Sequence, residues 1–180
     1  RGTTNWTVEN VAVTLSDAAL MQTELDITAC TSTGVIKTTN LTVNGNVYAS
    51  TTAQLTDAII NGATLVALKD GNYELPTGST VNLKGKELTL VGSENVVIDV
   101  TKVDTRDQFV TGATLTFEGV TLNFGKVNYM GFANTASLTY KNCNINGLQF
   151  LTRNGVVFEG CTLNSNGAEH SVWTYGAKNI

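Results

Sequence analysis

The densest cluster of reactive side chains in this sequence is DVTKVDTRDQ at 99–108, which carries Asp99, Lys102, Asp104, Arg106 and Asp107. Paired carboxylates held about 5–10 Å apart can run acid/base chemistry on a glycosidic bond. Clustered carboxylate oxygens can also ligate calcium. The same composition describes a solvated loop between two structural elements, and both readings stand. Asp99, Asp104, Arg106 and Asp107 are the candidate binding residues, and no residue is singled out as catalytic. His170, the single histidine, sits beside Glu169 in SNGAEHSV. It could act as a general base, or be an exposed residue of a loop. Three cysteines, Cys30, Cys143 and Cys161, form no CxxC pair. A structural zinc site needs four nitrogen or sulfur ligands close together, so no metal site is expected, and no motif calls for a cofactor. With an odd number of cysteines, at least one thiol stays unpaired within the chain.

Those residues need a scaffold, and the sequence repeats one. FEGVTLN at 117–123 returns as YKNCNIN at 140–146 and FEGCTLN at 158–164. Phe117, Tyr140 and Phe158 are separated by 23 and 18 residues. Eight residues upstream of each stand Phe109, Phe132 and Phe150, with the same two steps, and Trp173 follows 23 residues after Phe150. Leu115, Leu138 and Val156 lie two residues before the aromatic, on its face of a strand. Gly119, Asn142 and Gly160 follow, and these residue types enter the left-handed backbone region at low cost. They predict a one-residue corner. Val120, Cys143 and Cys161 then resume an inward face, followed by Leu122, Ile145 and Leu163. Asn123, Asn146 and Asn164 are read as the next bend. Stacked in this way, Cys143 and Cys161 are read as buried thiols rather than a disulfide. Glu118, Lys141 and Glu159 fall in one outward column, either a sugar-binding row or a ladder of alternating charge.

A unit of about 18–27 residues with short strands cannot bury its own apolar face and must stack on its neighbours. The expected fold class is therefore all-β, a parallel solenoid whose like residues stack roughly 4.8 Å apart. Composition agrees: 29 threonines and 19 asparagines stand against one proline, favouring strands and turns over long helices. TLVALKDGNYELP at 64–76 and KELTLVGSENVVIDV at 86–100 read as earlier coils, with Leu90 in the Phe117 column. Upstream, Thr51 and Gln54 have capping-box spacing, Leu55 and Ile59 share a face, and Gly62 is placed to end a helix. A short helix near 53–61 would cover the open end of the core. Residues 1–50 are expected to be a separate β-rich segment or collar, with a hairpin at Asn44-Gly45, and 51–180 the solenoid. The chain opens on Arg1 without a methionine, so residues are expected to precede it. Ile180 falls in the Leu115 column, so a further coil, or another subunit, is expected beyond it.

Residues 51–180 resemble the right-handed parallel β-helix, or pectin-lyase-like, superfamily. The resemblance rests on the helix cap, ATLVALKDGNYEL, KELTLVGSENVVIDV and the recurrent FEGCTLN. Repeats of the form FEGCTLN … HSVWTYGAKNI look like those of bacterial surface proteins and phage fibres or spikes. GVIKTTNLTVNGNVYAS looks like connecting segments of phage fibres. The scaffold alone decides no activity. The lyases of the superfamily use clustered calcium-binding aspartates and an arginine base, often in an RxPxxR frame. Here the single proline is Pro76 and the arginines are Arg1, Arg106 and Arg153, so the frame is missing. The NTD, DD and GHG blocks of its hydrolases are missing as well.

The resemblance thus implies a non-catalytic structural or adhesive module of an extracellular virion appendage or cell surface. It implies a cell-surface polysaccharide as partner and a homotrimer or larger assembly. Part of a polysaccharide-degrading spike is the alternative. The net charge of −4 and the lack of a basic cluster argue against nucleic acid. No apolar run reaches the roughly 20 residues of a membrane-spanning helix.

Overall fold

A computed structural model of the chain describes residues 6–9, 12–13, 36–39, 42–43, 46–76, 81–101, 111–125, 132, 134–147, 149–151, 155–168 and 172–174. Its strands are short because alternation is short: each run of inward apolar and outward polar residues soon meets a glycine or asparagine. Among the described residues, five strand–corner–strand units follow one another. They are β6 (Leu65–Leu68) with β7 (Gly71–Glu74), β8 (Glu87–Val91) with β9 (Val96–Asp99), β10 (Thr114–Glu118) with β11 (Thr121–Gly125), β12 (Ser137–Lys141) with β13 (Asn144–Gly147), and β15 (Val156–Glu159) with β16 (Thr162–Asn164). First strands stack in parallel on first strands, and second strands on second strands, giving two sheets that wrap one core. The protein is a parallel β-solenoid. A third pairing joins β14 (Gln149–Leu151) to β17 (Val172–Thr174), with Phe150 opposite Trp173.

Stacking like on like fills the interior. Leu88, Leu115, Leu138 and Val156 form one inward row, and Leu90, Phe117, Tyr140 and Phe158 the next. The rings of Phe117 and Tyr140 stack at 5.6 Å between centroids, and those of Tyr140 and Phe158 at 5.3 Å. Phe132 lies 5.5 Å from Phe117 and meets Phe124 edge-on at 5.7 Å. Offset and edge contacts of this kind suit the quadrupoles of the rings. From the second sheet come Tyr73, Ile98, Leu122, Ile145 and Leu163. Phe109 lies outside the described residues.

The corners are where residue type is forced. Gly119, Asn142 and Gly160 have φ of 72°, 51° and 63°, the left-handed region expected of them. A Cβ on Gly119 would stand 2.5 Å from the carbonyl oxygen of Gly92 in the coil before. The asparagine column departs from expectation. Asn123, Asn146 and Asn164 lie within β11, β13 and β16, on the outward face. The positive-φ positions come later, at Gly125 and Gly147. An extended outward position accepts any polar side chain, so asparagine there signals no bend. Phe158 and Leu163 also differ from the buried residues expected. Phe158 is half-buried and Leu163 is 40% exposed, because among the described residues each has a row neighbour on one side only.

Ahead of the first coil lies helix α1 (Thr52–Ile60). Thr51 is its N-cap, its hydroxyl accepting from the Gln54 N–H at 3.2 Å. Gln54 Oε1 reaches back to accept from Ser50 N and Oγ, each at 2.8 Å. At the other end Gly62 N donates to Ile59 O and Ala63 N to Ala58 O, both at 3.0 Å. These two bonds form a Schellman closure with Gly62 at φ 84°. Leu55, Ala58 and Ile59 face the core. The first-strand sheet also runs on past the helix. β5 (Asn46–Ala49) pairs in parallel with β6, and β4 (Thr42–Val43) pairs antiparallel with β5 through Val43 opposite Asn46. Residues 44–45, the expected hairpin position, lie outside the described residues. β2 (Ala12–Val13) joins β4, while β1 (Trp6–Glu9) and β3 (Ile36–Thr39) form a separate pair.

Candidate functional site

Strand alternation sends every second residue of β7, β9, β11, β13 and β16 outward. Parallel register then lines these residues up along the rod. One outward row reads Glu74, Asp99, Asn123, Asn146 and Asn164. Its companion reads Asn72, Val97, Thr121, Asn144 and Thr162. Within the first row Asn146 Nδ2 donates to Asn123 Oδ1 at 3.1 Å, a side-chain bond from coil to coil. Asp99 Oδ1 accepts from Thr101 N at 2.8 Å and from Thr101 Oγ1 at 2.6 Å. In the companion row Thr121 Oγ1 donates to Glu94 O at 2.9 Å.

Of the charged stretch, Asp99 alone can be placed. Asp104, Arg106 and Asp107 lie outside the described residues, as do Glu169, His170 and Cys30. The structure brings Asp99 together with Glu74, its register partner on the preceding coil. Sequence reading missed Glu74. The signal was available, because Glu74 stands 25 residues before Asp99, a step within the range of the coil repeat.

A second polar group closes the wide corners of the first two coils. Asp70 accepts from Ser93 Oγ and from Asn95 Nδ2, the latter at 3.2 Å. Asn95 N donates to Ser93 Oγ at 3.1 Å, and Gly71 N to Asn95 O at 3.2 Å. This carboxylate is committed to holding two corners together.

The thiols are interior groups. Cys143 is buried and Cys161 half-buried, and both are free. Cys143 Sγ lies 3.3 Å from Phe117 O and 3.2 Å from Lys141 O. Cys161 Sγ lies 3.4 Å from Tyr140 O and from Glu159 O. Burial pushes the Cys143 thiol up from 9.0 to about 11, so it stays protonated at neutral pH. Burial likewise raises Tyr140 and Tyr73. The Tyr73 hydroxyl donates toward Lys69 O at 2.6 Å and Ala49 O at 3.1 Å, tying the first coil to β5. Glu118, Lys141 and Glu159 form an outward row on the other sheet.

No protein-family model matches the chain, and no curated protein or solved structure matches it. The row from Glu74 to Asn164 offers amide donors and acceptors and two carboxylates at one-coil intervals. Such a face can exchange hydrogen bonds with a long hydroxyl-rich ligand lying along the rod.

Proposed function

We propose that this chain is a non-catalytic structural or adhesive rod of a virion appendage or bacterial surface protein, and that it engages an extended cell-surface polysaccharide. The observation that carries the reading is the outward, in-register row Glu74–Asp99–Asn123–Asn146–Asn164. A polysaccharide repeats its hydroxyls along one axis, and this row repeats its amides along another. Trimerisation would add rigidity and multiply weak contacts through avidity. The test is binding to immobilised bacterial polysaccharides by wild type and by an Asn123→Ala/Asn146→Ala double variant. Saturable binding that the double variant loses, at unchanged melting temperature, supports the reading. Equal binding by both proteins, or none by the wild type, rejects it.

One observation favours a second reading, part of a polysaccharide-degrading spike. Glu74 and Asp99 are carboxylates on adjacent coils in one register, and the separation of two carboxylates is what sets glycosidase chemistry. Release of reducing sugar ends, lost on Glu74→Gln or Asp99→Asn, would establish it.

A further inference from the structure

The outward face of the second-strand sheet has a charge of one sign. Among the described residues its two rows hold two carboxylates, Glu74 and Asp99, and no lysine or arginine. Glu74 is exposed and Asp99 half-buried. Both hydrogen bonds from Thr101 fall on Oδ1 of Asp99. The chain as a whole carries a net charge of −4. A polyanion laid along this face would meet like charge at two successive coils and no cation to offset it. Such repulsion acts within a Debye length, about 8 Å at physiological salt.

The amide part of the row has its own chemistry. An asparagine amide has two N–H donors and an oxygen with two lone pairs. The bond from Asn146 Nδ2 to Asn123 Oδ1 engages one donor and one lone pair. Both side chains therefore keep donors and acceptors to offer, one coil apart. Residues two positions earlier lie on the same face of each strand. They are Thr121 beside Asn123 and Val97 beside Asp99, and the two are register partners. Val97 and Thr121 are both half-buried. The Thr121 hydroxyl is already given to Glu94 O, and Val97 offers methyl groups alone. A small apolar spot therefore adjoins the amides on a face that is otherwise polar.

Resting on the reading of this face as a polysaccharide site, we infer that its ligand is an uncharged polysaccharide rich in N-acetylated amino sugars. An acetamido group is a planar amide that ends in a methyl. Its N–H and C=O exchange hydrogen bonds with an asparagine amide, as Asn146 and Asn123 already do with each other. Its methyl covers the spot made by Val97 and Thr121. A polymer that bears hydroxyls alone can satisfy the amides but leaves that spot bare. A uronic acid polymer satisfies neither the spot nor the charge, because its carboxylates meet Glu74 and Asp99.

The test is calorimetric titration of the full chain with three oligosaccharides of equal length and linkage, built from N-acetylglucosamine, glucose and a uronic acid. The N-acetylglucosamine oligomer should bind tightest. The glucose oligomer should bind about three- to fivefold more weakly, the effect of one methyl left uncovered. The uronic acid oligomer should bind a further three- to tenfold or so more weakly at low salt. That last gap should close as salt is raised, while the first gap persists. This ranking is read on the wild type alone, so it does not depend on any variant folding. Val97→Ser should narrow the first gap, and Glu74→Gln with Asp99→Asn should close the second. Equal binding of the N-acetylglucosamine and glucose oligomers, or a preference for the uronic acid, overturns the inference and leaves the polysaccharide reading standing. Binding of none of the three overturns both.

Discussion

Cys143, Tyr73 and Tyr140 share one physical situation: an acidic group that the fold holds neutral in a dry interior. Their folded pKa values are raised, so the unfolded chain gives up these protons first as pH rises. Stability from these groups is complete below the unfolded value and is lost as pH climbs toward the folded one. For Cys143 that window opens near pH 9 and closes near 11. Each such group lowers stability by up to about 1.4 kcal/mol per pH unit inside its window. Urea midpoints should therefore be flat from pH 7 to about 9 and fall above it. Cys143→Val should move the onset of that fall upward, toward the pH at which free tyrosine ionises. Midpoints that stay level through pH 10 in the wild type would show that these groups are not held neutral.

At the scale of elements, corners and caps decide where each strand or helix stops. Gly119 has both a positive φ and the carbonyl of Gly92 where a Cβ would go. Asn142 has the positive φ but carries a side chain. Gly119→Ala should then cost about 2 kcal/mol or more, since backbone strain and a clash add. Asn142→Gly should stay within about 0.5 kcal/mol, because glycine enters that region freely. Paired chemical denaturation curves measure both, and equal costs would mean that the corner is set by something other than φ. In the helix, Thr51→Ala removes the acceptor for the Gln54 N–H and should cost about 1 kcal/mol by the same measurement. The corners were legible in the sequence because glycine and asparagine recur at one offset from an aromatic. The corner between β8 and β9 was less so. It runs through 92–95 and is closed by Ser93 and Asn95 on Asp70, so the one-residue spacing fails there. The outward rows were hidden for a different reason. Burial restricts residue type and leaves a periodic trace, whereas Glu74, Asp99 and Asn123 share a row with no demand that they be alike. Of the candidate site, the sequence marked Asp99 as a charge, and its register partner Glu74 was marked only by the 25-residue step between them.

At the scale of the whole molecule, a solenoid is stabilised coil by coil, each resting on its neighbours. Its two ends are not equivalent. Toward the N-terminal side, α1 lays Leu55, Ala58 and Ile59 over the first coil, and Lys69 N donates to Ala49 O at 3.0 Å. On the other side Leu163 and Cys161, in the rows that run inward on the earlier coils, are only partly covered, because among the described residues β15 and β16 each pair on one side only. The β15–β16 coil, with a strand neighbour on one side only among the described residues, can therefore open without disturbing the coils before it. Phe117→Ala, in a row packed on both sides, should cost about 3–5 kcal/mol, and Phe158→Ala roughly half of that or less. Hydrogen exchange separates the two cases without mutation. The Asn144 N–H, bonded to Val120 O, should exchange only in global unfolding. The Thr162 N–H, bonded to Cys143 O, should exchange through local opening and respond weakly to low denaturant. Equal protection of the two amides would mean that the β15–β16 coil is as stable as its neighbours, and the gradient of stability would not survive that result.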